Sequence, residues 1–230
     1  MSTRKVRISR KKTLKFNKIY HGLSGSEKSE YVDNKHIAYG ELCDESIPIL
    51  YEIFARYAPL SKIVGSYRNF YDIGSGVGKA VLGMAVLNST LRLTGIEVKS
   101  DLVQQANTAL ERIRDSSLRN RVEFLCLSCV DDSVRYDKAC WVFISNDMFD
   151  NAINDRLIEK LDKELKPGVI ILCSKMIYNN NFQKLNYVTL PMSWSDDTKV
   201  YVYKKIEKDL NKLNESTEIL ENKYEIPTQT

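Results

Sequence analysis

The sequence predicts an α/β domain, a mostly parallel seven-stranded sheet with helices on both faces and a C-terminal antiparallel hairpin. Three observations predict it. From about residue 30 onward, strand-sized apolar runs alternate with segments of helical period. A glycine-rich turn, Gly74 to Gly78, separates the first such strand from its helix. At the far end two strand-like runs follow each other with no helix between them, which a parallel crossover would require.

The elements follow in order. Ile47, Leu50, Tyr51, Ile53, Phe54 and Tyr57 lie on one face of a helix over Glu45–Tyr57. Asn69–Ile73 is a short buried strand, and Ala80–Leu87 a helix opening from the glycine turn. Arg92–Glu97 is the second strand. A helix from Ser100 to about Arg114 follows, with Ser100 or Asp101 as its cap. Arg121–Ser128 and Ala139–Ser145 are the third and fourth strands. The amphipathic helix Asn151–Leu165 stops at Lys166-Pro167-Gly168, a helix-ending combination. Val169–Cys173 is the fifth strand. Tyr187–Met192 and Lys199–Lys205 complete the sheet as a hairpin, with its turn expected at Ser195-Asp196-Asp197.

A chain of 230 residues with 43% hydrophobic and 28% charged side chains builds one substantial core and excludes a fibrous or wholly disordered class. No apolar run approaches the ~18 residues a membrane helix needs, and no apolar segment follows the start, which argues against a membrane partner and against secretion. Five irregularly spaced cysteines, Cys43, Cys126, Cys129, Cys140 and Cys173, point to a reducing compartment. Cys126 and Cys129 form a lone C-x-x-C and read as strand residues rather than a metal site, so no metal is expected.

Charge is unevenly placed. Arg4, Lys5, Arg7, Arg10, Lys11, Lys12, Lys15 and Lys18 precede the first acidic residue, Glu27, leaving 26 basic side chains against 30 acidic ones in the remainder. A basic arm (1–26) is thus joined to a mildly acidic remainder, made up of a domain (27–206) and a polar tail (207–230) that is helical or disordered. The arm fits DNA or another polyanion. A targeting peptide is the alternative, although mitochondrial ones are Arg-rich and this arm is Lys-heavy.

The turn Asp72-Ile73-Gly74-Ser75-Gly76-Val77-Gly78 carries the most chemistry. Glycines let backbone approach a ligand closely. The dinucleotide pattern G-x-G-x-x-G would place glycine at position 79, where this chain has Lys79. No Gly-Lys-Ser/Thr follows, which excludes a P-loop. An acid at the strand end suits a ligand with an ammonium group, as in the methionine tail of S-adenosylmethionine (SAM). Glu97, ending the second strand 19 residues past Gly78, can accept hydrogen bonds from two ribose hydroxyls.

With Gly95-Ile96-Glu97, this segment resembles the class I, Rossmann-like SAM-dependent methyltransferases, and within them the DOT1-type histone lysine methyltransferases. Tyr39-Gly40-Glu41 is similar to that family's Tyr-Gly-Glu loop over the methionine end of the cofactor. Ser145-Asn146-Asp147-Met148-Phe149 resembles its Asn-Asn-Phe-x-Phe segment beside the transferred methyl. Gly168 to Ser174-Lys175 resembles its fifth strand, and Ser193-Trp194 with Tyr201 its lysine-channel aromatics. The resemblance covers roughly residues 38–205. It departs at Ser145, where the family has Asn, and at Ser128-Cys129-Val130, where the family has Gly-Asp-Phe. The carboxylate for the adenine amine is therefore missing at Cys129, with Asp131 and Asp132 the nearest replacements.

The resemblance implies SAM as cofactor, held by Tyr39, Gly40, Glu41 and Leu42, by Phe70 and Asp72, by the turn Gly74, Ser75, Gly76, Val77, Gly78 and Lys79, and by Glu97, Cys129 and Val130. It implies transfer of methyl to a lysine of the histone H3 core in the nucleosome, by a nuclear, monomeric enzyme. Trp194, Tyr201 and Phe149 would wall a channel that desolvates the amine, and Asn146 or Ser145 would supply a polar contact. No histidine is assigned a role, and His36 reads as a surface or loop residue. Methylation of a non-histone protein such as an organellar one, in mitochondria, and a degenerate SAM-binding chromatin module are the alternative readings.

Overall fold

The computed structural model describes residues 19–23, 31–32, 35–36, 42–63, 68–193 and 195–207. Tyr39, Gly40, Glu41, Trp194, the arm up to residue 18 and the tail beyond residue 207 lie outside the described residues.

Two short strands, β1 (Tyr31–Val32) and β2 (Lys35–His36), pair antiparallel, so of the two readings of His36 the loop one gives way to a short ladder. The main elements are α1 (Ser46–Tyr57), β3 (Asn69–Ile73), α2 (Lys79–Leu87), β4 (Arg92–Glu97), α3 (Ser100–Glu111), α4 (Ser116–Arg119) and β5 (Val122–Cys126). They continue as β6 (Ala139–Ile144), α5 (Asn151–Glu164), β7 (Ile170–Cys173), β8 (Phe182–Met192) and β9 (Ser195–Lys205). The sheet has seven strands in the order β5-β4-β3-β6-β7-β9-β8, with the first five parallel and β9 and β8 antiparallel. The expected architecture is thus the one observed. Strand order reverses between β3 and β6, the crevice where open α/β sheets take their ligands.

Alternation along the strands sorts the core into two layers. Phe70, Trp141, Phe143, Leu172, Val200 and Val202 face α1 and α2, where Phe54 stacks on Trp141 with ring centroids 5.2 Å apart. Ile73, Val142, Ile144, Ile171 and Tyr203 face the other way, onto Leu157, Ile158 and Leu161 of α5. Parallel strands covered on both faces read as continuous apolar runs, and β6 is buried at every position.

Three boundaries differ from expectation. Met192 pairs with Ser195, so the hairpin reverses at residues 193–194, and Ser195, Asp196 and Asp197 open β9. Only Tyr201–Lys204 of β9 pair with β7, so the exposed Ser195, Asp196 and Asp197 are solvated strand whose polarity mimics a turn. For the same reason β8 begins at Phe182 rather than Tyr187. Its added segment is polar and bulged, as edge strands often are. Finally, α3 is capped from Lys99 without a side-chain bond, not by Ser100 or Asp101, which are already helical.

Candidate functional site

The glycine turn leaves β3 under tight local control. Gly74 and Ser75 both donate their N–H to the Ile96 carbonyl, at 2.8 and 3.0 Å, and Gly78 donates to the Ser75 carbonyl at 2.8 Å. Gly74, Gly76 and Gly78 have φ of 77°, 52° and 80°. A Cβ on Gly78 would lie 2.4 Å from the Phe124 ring, so backbone and ring are in direct contact. Gly95 has the same neighbour, since its Cβ would stand 2.6 Å from that ring and 2.8 Å from Ser75 Oγ. Phe124, from β5, therefore seats both the turn and β4. Nothing in the local sequence marks it for that role.

Above the turn is a small, narrow cleft at the strand-order reversal. Asp72, Gly74, Ser75, Val77, Lys79 and Ala80 border it from the β3–α2 unit. Phe143 and Ser145 border it from the end of β6, and Leu42 and Met192 close it from a bridge of their own. Phe143, Ala80 and Met192 were not anticipated. Phe143 pairs directly with Asp72 in the sheet register.

Asp72 is 2% exposed. Its Oδ1 has no hydrogen-bond partner among the described residues, and neither does the buried Ser75 Oγ. Burial, and then the charge of Glu97, push the Asp72 carboxyl up to about 8. Glu97 itself is engaged with backbone. Its Oε2 accepts the Gly76 N–H at 3.1 Å, and Oε1 accepts those of Val98 and Lys99 at 2.9 and 3.0 Å. Oε1 is thereby filled, while Oε2 keeps a lone pair for a further donor. Two neighbouring acids, one desolvated and unpartnered, attract a ligand that is cationic and rich in donors. An ammonium with ribose hydroxyls meets that description.

The remaining sequence-derived residues divide. Phe70 is removed from the cleft: it is fully buried against Phe54, edge to face at 5.8 Å, because α1 covers its end of the strand. Asn146 is 1% exposed and fully engaged, accepting from Ser174 and Lys175 N–H at 3.2 and 3.0 Å and donating to Asn154 at 2.6 Å. It ties β6, β7 and α5 together, and of the pair it is Ser145 that faces the cleft. Phe149 lies over Gly74, its ring 3.4 Å from where a Cβ would stand. Tyr201 pairs with Cys173 beside the same end of the sheet, but on the α5 face, opposite Phe143. Its ring lies 4.7 Å from Lys184 Nζ.

On the far side, Cys126 is exposed at the end of β5. Cys129 is buried in the turn beyond it, not in a strand. Burial pushes the Cys129 thiol up to about 11, so the thiol is a neutral, apolar surface there. The half-buried Val130 packs on the same layer. Asp131 turns back to accept from Ser133 N–H at 2.9 Å, and that hydroxyl and amide hold its carboxyl below the usual range. Among the described residues no group of three or more His, Cys, Asp or Glu could hold a metal ion, and no helix is long and apolar enough to cross a membrane.

Comparison with known proteins fits this geometry. A glycopeptide N-methyltransferase, MtfA, in its complex with S-adenosyl-L-homocysteine, superposes with a TM-score of 0.54 at 12% identity, over 73% of this chain and 92% of its own. The mitomycin 7-O-methyltransferase MmcR superposes with a TM-score of 0.51 at 13% identity, over 70% of this chain and 54% of its own. No curated protein sequence matches. The fold of this chain is that of the class I SAM-dependent methyltransferases. A family model, "Histone methylation protein DOT1", matches residues 25–208, and the chain belongs to that family.

Proposed function

We propose that this SAM-dependent methyltransferase acts on a lysine of the histone H3 core within the nucleosome, in the nucleus. The observation that carries the reading is the buried, unpartnered Asp72 beside Glu97 in a chain of the DOT1 family. Bound there, SAM supplies an electrophilic methyl on a sulfonium sulfur. Asp72 would take the ammonium of the methionine tail, Glu97 would accept from the ribose through Oε2, and Ser75 Oγ would gain a polar partner. Lys79, at the first position of α2, faces the carboxylate end. The neutral Cys129 and Val130 contribute apolar surface toward the adenine. By family resemblance Tyr39, Gly40 and Glu41, next in sequence to the cleft residue Leu42, would serve the methionine end.

Attack on the methyl requires a neutral amine aligned behind it, since an ammonium has no lone pair. Phe149, held over Gly74, and the aromatic residues Trp194 and Tyr201 desolvate the lysine and disfavour its charged form. Ser145 presents the polar contact at the cleft, and Asn146 fixes the loop that carries Phe149. The basic arm holds nucleosomal DNA, for which the rest of the chain, with its small acidic excess, supplies no net attraction.

Incubation with labelled SAM and nucleosomes, free histones or total RNA tests the reading, with label expected on H3 only in nucleosomes. Label confined to an organellar protein extract would replace the substrate, and SAM binding without transfer to any acceptor would make the chain a non-catalytic module. Glu97→Ala should weaken SAM binding by at least ~1.5 kcal/mol, measured calorimetrically, through loss of charge-assisted hydrogen bonds.

A further inference from the structure

Residues 19–23 fall within the bounds expected for the basic arm, yet they carry no Lys or Arg and pack on the domain. Ile19 and Tyr20 are buried, and Leu23 rests on the same core. Arg112, just past the end of α3, clamps their backbone, its Nη1 donating to the Ile19 and His21 carbonyls at 2.6 and 2.8 Å. Thus anchored, Tyr20 reaches the cofactor turn. Its hydroxyl donates to the Val77 carbonyl at 3.2 Å, and Lys79 Nζ lies 5.7 Å from the centre of its ring. Val77 and Lys79 both border the cleft.

A turn built on three positive-φ glycines has much conformational freedom to lose when it orders around a ligand. Contacts made from outside the turn reduce that cost before the ligand arrives. Tyr20 makes two of them, one to the turn backbone and one to the ammonium of the first residue of α2.

We propose that Tyr20 is a positioning residue of the cofactor site, and that the chain therefore divides functionally at its arm: residues 1–18 serve the polyanion, and residues 19–23 serve the cofactor. The proposal rests on the cofactor reading above. It requires no contact between Tyr20 and SAM. The hydroxyl fixes the Val77 carbonyl, and the ring holds the Lys79 ammonium at the mouth of the cleft.

Calorimetric titration with S-adenosylhomocysteine, alongside thermal unfolding, tests it on the full chain. Tyr20→Leu keeps an apolar side chain in the buried position but removes hydroxyl and ring. It should lower Tm modestly and weaken binding about tenfold at temperatures where the variant is still fully folded. Tyr20→Phe keeps the ring and should weaken binding only about threefold. Deletion of residues 1–18 should leave affinity unchanged, whereas deletion of residues 1–23 should reproduce the loss seen with Tyr20→Leu. A Tyr20→Leu protein that binds as tightly as wild type, or two deletions of equal affinity, overturns the proposal. Failure of the cofactor reading is distinct, because then wild type itself does not bind the nucleoside and Glu97→Ala changes nothing.

Discussion

Two aspartates, one at the cleft and one on α5, show how the same side chain is used for opposite ends. Asp162 meets the buried Lys205 ammonium through one oxygen and the Asn181 amide, at 2.9 Å, through the other. Burial works against its charge, but the hydrogen bonds from Lys205 and Asn181 outweigh it and hold the carboxyl below the usual range. Asp72 is more deeply buried, has no such cation, and sits beside a second acid that raises it further. The fold satisfies Asp162 internally and leaves Asp72 for something that is not part of the chain. A buried polar group without a partner costs stability, so its retention at a cleft points to a ligand.

The largest effect that would break this comparison is on the satisfied side. Lys205→Met keeps the aliphatic length against the Phe182 ring but leaves the Asp162 carboxylate short of its cation. Removing one partner of a buried pair is expected to cost about 3 kcal/mol. The measurement is the urea midpoint at neutral pH. The pair contributes fully above the ordinary carboxylate range near 3.9, and its contribution is lost as pH falls through the depressed folded value. A variant within about 0.5 kcal/mol of wild type at neutral pH would mean that Asp162 is no better satisfied than Asp72.

Asp72→Asn should act in the opposite direction. Burial, and then the charge of Glu97, push the Asp72 carboxyl from its ordinary 3.8 up to about 8 in the folded state. This group therefore favours the folded state most at acid pH, and that contribution is lost as pH rises toward the folded value. An asparagine carries no such penalty. The free variant should gain roughly 2 kcal/mol on wild type between about pH 5 and about pH 7, while binding the cofactor more weakly. In wild type, S-adenosylhomocysteine should bind more tightly as pH rises from about 6 to about 8, because only the ionised carboxyl attracts an ammonium. The variant should lose that slope. Equal pH slopes in the two proteins would remove Asp72 from the ammonium site.

How far this site could be read in advance follows from how local each cause is. Asp72, the turn glycines and Glu97 are dictated by backbone geometry within a few residues of the strand ends, so spacing alone marks them. Phe143 and Met192 reach the cleft through strand register and a bridge to Leu42, contacts made across long stretches of sequence. Phe70 shares a strand face with Asp72, but α1 decides that one is core and the other cleft. Asn146 is legible as a polar residue at a strand end, whereas its partners come from β7 and α5. The hairpin was legible as a pair of strands but misplaced at its turn, because solvated edge strand and turn share the same polar composition.

The smallest effect sharpens the comparison most, because it separates folding from binding at a single atom. Ser75 Oγ is buried beside Asp72 and makes no hydrogen bond among the described residues. Ser75→Ala removes a group the fold does not use, and deleting an unsatisfied buried hydroxyl is neutral or mildly stabilising. The urea midpoint should therefore stay put or rise, by less than about 1 kcal/mol. Binding of S-adenosylhomocysteine should fall by about one hydrogen bond, roughly 1 kcal/mol, since the hydroxyl finds its partner only in the complex. If stability drops and affinity holds, the hydroxyl serves the turn and not the ligand. The orphaned atoms of the cleft would then be strain within the fold rather than a site awaiting its cofactor.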